Sequence, residues 1–141
     1  MKISELQEYL KDRLNDVQAL VQHGCKAFAE DTREVYEESN QWTSAGNVAI
    51  VVVTPDLRRN GSCADGISVD GQILVRCIEK PALASSNTNA IRALDAAEIV
   101  AHELDDRSIE FQDIKQTVDR TAGTVVATAT FSTTIKLTKE D

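Results

Sequence analysis

The segment His102-Glu103-Leu104-Asp105-Asp106 comes closest to a recognised chemical pattern in this chain. A zinc-hydrolase helix needs two histidines one turn apart to hold the metal and a glutamate between them to activate water, the H-E-x-x-H arrangement. Here Asp106 stands where the second histidine belongs, and the only other histidine is His23. The ligand set is incomplete, and no metal is expected. A histidine near a helix C-terminus has a plainer use, since its cation meets the negative end of the helix dipole. Nucleophilic catalysis needs a Ser or Cys beside a base that a third group orients, and no G-x-S-x-G or comparable turn accompanies either histidine. Gly61, Gly66 and Gly71 are spaced by five without leading into a helix, which suits turns and not a phosphate cradle. The adjacent acids Asp105-Asp106 and Glu37-Glu38 follow from composition in a chain with 23 acidic residues. A general acid needs burial beside apolar groups, and these pairs lie in polar segments. No catalytic residue, cofactor or cofactor-binding residue is predicted, and the expectation is a protein that is not an enzyme.

Two features point instead to contact with other proteins. Arg58-Arg59 is the only adjacent basic pair, expected on a loop that leaves a central strand. It is either a solvated loop tip or a guanidinium fork for carboxylates on a neighbouring copy. Trp42 is the one large apolar group in the polar stretch Ser39 to Gly46, either a lid over the core or an interface anchor. Arg58, Arg59 and Trp42 are therefore the candidate subunit-interface residues.

Charge narrows the classes of partner. Fifteen Lys and Arg against 23 Asp and Glu give a net charge of −8. Phosphate binding draws its affinity from clustered cations, so sequence-specific nucleic-acid binding is not expected. The six aromatics are scattered rather than interleaved with Lys and Arg, which argues against a base-stacking platform. The longest apolar run, Val48 to Val53, is far too short to span a bilayer, and the first residues lack an apolar signal segment. No membrane is expected. Cys25, Cys63 and Cys77 form an odd, widely spaced set without C-x-x-C, as expected of free thiols in a reducing compartment.

The elements that must position these residues follow from periodicity. The chain of 141 residues suits one domain, 1–141, with one sizeable core. Ile3, Leu6, Leu10, Leu14, Val17 and Val21 predict a helix over about 4–22, capped by a Ser4/Gln7 box and ended by Gly24. Residues 25–29 predict a short strand, and the acidic run 30–38 a solvated loop or short helix. Val48 to Val53 reads as a strand covered on both faces. Leu57 to Gly66 reads as a long exposed loop. Asp70-Gly71 lies between two strand-like segments as a hairpin turn or a bulge. Ser85 to Asn89 offer N-caps for a second helix with the stripe Ile91, Leu94, Ala97, Val100 or Ala101, and Leu104. Ile109 to Val118 predicts a strand broken near Asp113, Gly123 a turn, and Val125 to Leu137 a strand whose odd positions are mostly apolar. The fold class is α+β: a mixed or antiparallel sheet, with the N-terminal helix and the second helix packed on one face of it.

This order, from the Met1-Lys2-Ile3-Ser4-Glu5-Leu6 helix through the Asn47–Pro55 strand, the long loop, the Gln72–Pro81 strand, the helix over 87–106 and the terminal strand, resembles the tail-terminator or tail-completion proteins of long-tailed bacteriophages. The resemblance covers nearly the whole chain and rests on element order, not on a residue signature. It implies a mixed-sheet domain that forms a homo-oligomeric ring, commonly a hexamer, on the head-proximal end of the tail tube. Its implied partners are other copies of itself, the tail tube protein and a head-completion or connector protein. Its implied location is the bacterial host cytoplasm during assembly and then the virion tail. If copies encircle passing DNA, the net charge gives a lumen that repels phosphate. Two other readings stay open: another neck or connector component, and a small monomeric protein- or ligand-binding module.

Overall fold

Between Thr124 and Thr138 the side chains alternate in polarity as a strand with one buried face requires. The computed structural model, which describes residues 3–30, 33–63, 66–84 and 90–138, is built around that alternation. Its elements are α1 (Ile3–Asn15), α2 (Gln18–Val21), β1 (Lys26–Ala29), α3 (Arg33–Ser44), β2 (Ala49–Val52), β3 (Asp56–Cys63), β4 (Gly66–Glu79), α4 (Pro81–Ala84), α5 (Ala93–Leu104), β5 (Ile109–Asp119) and β6 (Thr124–Thr138). The sheet order is β1-β2-β4-β6-β5, with β3 on β4 as well. Among the described residues only β1 and β2 pair in parallel, so the sheet is mixed and the fold α+β.

The paired rows Ile50, Cys77 and Ala127, then Val52, Val75 and Ala129, with Ile73 opposite Phe131, put one buried set of side chains on a single face. Leu6, Leu10 and Leu14 of α1 and Ala93, Ala96, Ala97, Val100 and Leu104 of α5 close over it. Phe131 is fully buried and meets Phe111 edge to face, with ring centroids 5.8 Å apart. The break expected near Asp113 is a bulge between Phe111 and Asp113, and Gly123 turns β5 into β6 at φ +67°. Gly24 has φ +73°, as expected of a residue closing the N-terminal helical region. An added Cβ there would lie 2.7 Å from Asn47 Oδ1.

Several expectations are corrected. The single helix over 4–22 is two, because Val17 takes an extended ψ of 113°. The reason is Asn15, whose amide bonds to Ala27 of β1 and so ends α1 against the sheet. Ser4 lies within α1, and buried Gln7 donates to the Val52 carbonyl at 3.3 Å instead of serving as a cap. The acidic and polar region 30–46 contains the twelve-residue helix α3. Its inner face is hidden from a periodicity search because buried Ser39 and Thr43 belong to it. They bond back to the carbonyls of Tyr36 and Ser39, both at 3.1 Å. α1 and α5 share one face of the sheet as expected, whereas α3 packs on β1 and β2 from the opposite side. β2 is thereby buried on both faces, as its sequence implies.

The stretch 57–66 is not a loop either. Most of it is β3, paired antiparallel with the first half of β4. Asp70-Gly71 is neither hairpin turn nor bulge, since β4 pairs with β6 without interruption from Gly66 to Glu79. Gly71 lies in a tight spot: a Cβ there would sit 3.1 Å from Leu57 Cδ2 and 3.3 Å from Thr133 Cγ2, so those side chains would have to give way by a few tenths of an ångström. In α5 the N-cap is Arg92, without a side-chain cap bond; the expected caps Ser85 to Asn89 lie outside the described residues. Leu94 is 46% exposed, and the stripe runs through the alanines instead. No helix among the described residues is long and apolar enough to cross a membrane.

Candidate functional site

Arg58 and Arg59 sit in β3, where neighbouring side chains point to opposite sides of the sheet. The loop expected here is a strand, so the two guanidinium groups leave on opposite faces. Arg58 stands opposite Asp70 on the face away from α1 and α5, and Arg59 stands opposite Val69 on the core side. Asp70 already accepts from Asn60 Nδ2 at 2.6 Å and from Thr134 Oγ1 at 3.3 Å. Arg58 is exposed and makes no ion pair with any described residue.

Trp42 lies in α3 rather than in a loop. It is half-buried, and its indole Nε1 donates to the Gly24 carbonyl at 2.9 Å, tying α3 to the turn before β1. Lys26 Nζ lies 5.6 Å from the Trp42 ring centroid and 5.4 Å from that of Phe28. With Glu38 and Gln41 these residues line an open depression of ≈ 270 Å³. The structure does not bring the interface candidates together. Lys26 is level with Ile78 of β4 and Arg58 with Asp70, eight residues along that strand or roughly 27 Å at ordinary strand rise.

The acids weighed for chemistry have other employment. Asp106 accepts from Ser108 N at 2.8 Å, Ser108 Oγ at 2.9 Å and Ile109 N at 2.9 Å, and pairs with Arg13 at 3.3 Å. The bonds from Ser108 chiefly, then Ile109 and Arg13, hold its carboxyl down to about 2. Arg13 also donates to the Glu103 carbonyl, so one guanidinium ties α1 to the end of α5. Glu37 and Glu38 are exposed on α3, and His102 is exposed in the last turn of α5. Among the described residues no group of three or more His, Cys, Asp or Glu is placed to hold a metal. Cys25 and Cys77 are free and buried; burial pushes the Cys25 thiol up to about 12 and the Cys77 thiol up as well. The Cys63 side chain lies outside the described residues.

One depression of ≈ 580 Å³ is open and polar, lined by Asp70, Arg107, Ser108, Glu110, Ser132 and Thr134 among others. More distinctive are the sheet edges. The β1 edge is closed at Ala27, whose N–H and carbonyl both bond to the Asn15 amide. Asp105 and Asp106 take the Phe111 and Ile109 N–H groups at the start of β5. From Asp113 to Asp119 the outer side of β5 has no backbone partner among the described residues. Sequence reasoning missed these edges. The strand pattern of 109–118 was legible, but which strand ends the sheet depends on pairings that no local pattern records.

No protein-family model matches the chain, and no curated protein matches it. Among solved structures its fold is similar to that of a chain in a structure described as the virion of a native gene transfer agent particle. The TM-score is 0.61 and the identity 15%, over 94% of this chain and 95% of the other. At that identity the likeness is one of fold.

Proposed function

We propose that the chain is a structural, non-enzymatic subunit of a phage-like particle. Its copies form a ring, commonly of six, that ends the tail tube and presents a surface to the head-side connector. The carrying observation is the end-to-end similarity to a chain of the gene transfer agent virion, which leaves almost no part of either chain unmatched. The element order read from the sequence agrees with it. So does the way the described acids and hydroxyls are used to tie elements together, as Asp106 and Thr43 are. A net charge of −8 on each copy would keep a central passage from holding DNA by its phosphates.

Light scattering on the purified protein over a range of concentration and salt, followed by electron microscopy with the tail tube protein of the same gene cluster, tests this reading. A closed multimer near six copies, alone or on tube ends, is the expected result. A protein that stays monomeric in both settings and never caps a tube overturns it.

A further inference from the structure

Lys26 and Phe28 are two residues apart in β1, so their side chains leave on the same side of the sheet, the side on which α3 packs. Glu38 and Trp42 are one helical turn apart in α3 and share a face of it. With Gln41 these four line the open depression of ≈ 270 Å³. Its aromatic walls are fixed, because Phe28 is buried and the Trp42 indole is tied to the Gly24 carbonyl. Its two charged groups, Lys26 and Glu38, are exposed and do not pair with each other. Lys26 Nζ lies over the two rings, 5.4 and 5.6 Å from their centroids, with neither a hydrogen bond nor an ion pair to any described residue. The Glu38 carboxylate faces the same space and pairs with no described cation.

We propose that this depression is a binding site for a guanidinium group, supplied by an arginine side chain of a different, partner protein, and that Lys26 is its built-in stand-in. Aromatic faces carry negative charge density, so two of them around one space favour a cation, and the lysine already there shows that a cation is accommodated. An ammonium is a compact, strongly hydrated charge, and this one leaves Glu38 unused. A guanidinium is flat and more weakly hydrated. It can stack on Trp42 while two of its N–H groups donate to the Glu38 carboxylate, which satisfies the ring and the acid together. The net charge of −8 draws basic partners to the chain in general. The depression gives such a partner a defined place, since two aromatic faces and an unpaired acid meet there. The inference goes beyond the ring reading and does not depend on it, because a monomer carries the same site.

Trp42 is the only tryptophan in the chain, so its indole N–H gives a single nuclear magnetic resonance signal that reports on the site. The full chain is titrated with the N-acetylated amides of arginine, lysine and citrulline, which differ only in their side chains. Citrulline has the shape of arginine without its charge. The arginine amide should shift the Trp42 signal saturably, the lysine amide should bind more weakly, and the citrulline amide should give no saturable shift. Lys26→Ala should tighten binding of the arginine amide by roughly two- to fivefold, the worth of one cation–π contact at an exposed site, and Glu38→Gln should weaken it. Both positions are exposed, and a circular dichroism spectrum like that of the wild type checks that each variant folds. No saturable shift with the arginine amide in either the wild type or K26A overturns the site, as does an equal shift with the citrulline amide. Binding of the lysine amide as tight as that of the arginine amide overturns the guanidinium preference, and weaker binding by K26A overturns the stand-in role of Lys26. A Trp42 signal that moves with protein concentration alone, and that the arginine amide returns to its dilute position, overturns the assigned source by placing the arginine on a second copy.

Discussion

Asn15 and Ala27 exchange two hydrogen bonds. The side-chain Nδ2 donates to the Ala27 carbonyl at 3.1 Å, and the Ala27 N–H donates to Oδ1 at 2.8 Å. One asparagine thus imitates a peptide of a missing neighbour strand. It ends α1 and closes the β1 edge together.

Replacing Asn15 with Ala should cost about 1–3 kcal/mol, because it leaves both polar groups of Ala27 without their partner. Urea unfolding would show a lower midpoint at unchanged slope. Asn15→Asp should be as harmful, since it keeps the acceptor but sets a second oxygen against the Ala27 carbonyl. An Asn15→Asp protein as stable as wild type would mean the pair contributes little.

The carboxylate of Glu79 is 3% exposed and bonds to Arg92 Nε at 3.1 Å, whereas the Arg92 side chain is 68% exposed. The two partners are therefore unequal. Arg92→Met should destabilise by about 1–3 kcal/mol, reduced from the fully buried case because water reaches the guanidinium. In the Glu79→Gln background the same change should cost clearly less, and a double-mutant cycle measures the difference.

Asp106 gives a defined acid sensitivity. Its folded carboxyl is held at about 2 against an ordinary 3.8, so it binds protons less readily folded than unfolded. Its contribution is fully present above pH 3.8 and is lost as pH falls from there towards 2. Asp106→Asn should flatten that part of the stability profile, and should also loosen the α1–α5 tie through Arg13. Thermal melts between pH 5 and 2, wild type against variant, would show converging curves at the acid end.

Burial pushes the Cys25 thiol up to about 12 and raises the Cys77 thiol too, so neither should be a thiolate at pH 8. In a C63S protein, a chromogenic disulfide reagent should release no colour until denaturant is added. Rapid native labelling would mean that the core opens locally at β1 or β4.

Elements whose evidence lies in their own residues were legible beforehand. The alternation of Val125 to Leu137 gave β6 and its buried face, the break near Asp113 gave the β5 bulge, Gly24 a left-handed helix end and Gly123 a turn. Other residues were legible only in part. A helix was one of two alternatives for the acidic run 30–38, and its extension to Ser44 was hidden because Ser39 and Thr43 look polar until their hydroxyls are seen bonded to their own helix. Leu94 belonged to the predicted stripe, yet the rotation of α5 on the sheet turned it outward.

Local periodicity and turn chemistry are properties of neighbouring residues, so this sequence by itself determined the α+β class, the β6 face and the turns at Gly24 and Gly123. Pairing is a property of residues far apart. That Arg58 and Arg59 stand in a strand on opposite faces, and that Asn15 closes one sheet edge, were decided only by tertiary structure. A polar eight-residue stretch becomes a strand when β4 offers it a ladder of hydrogen bonds, and nothing within that stretch records the offer.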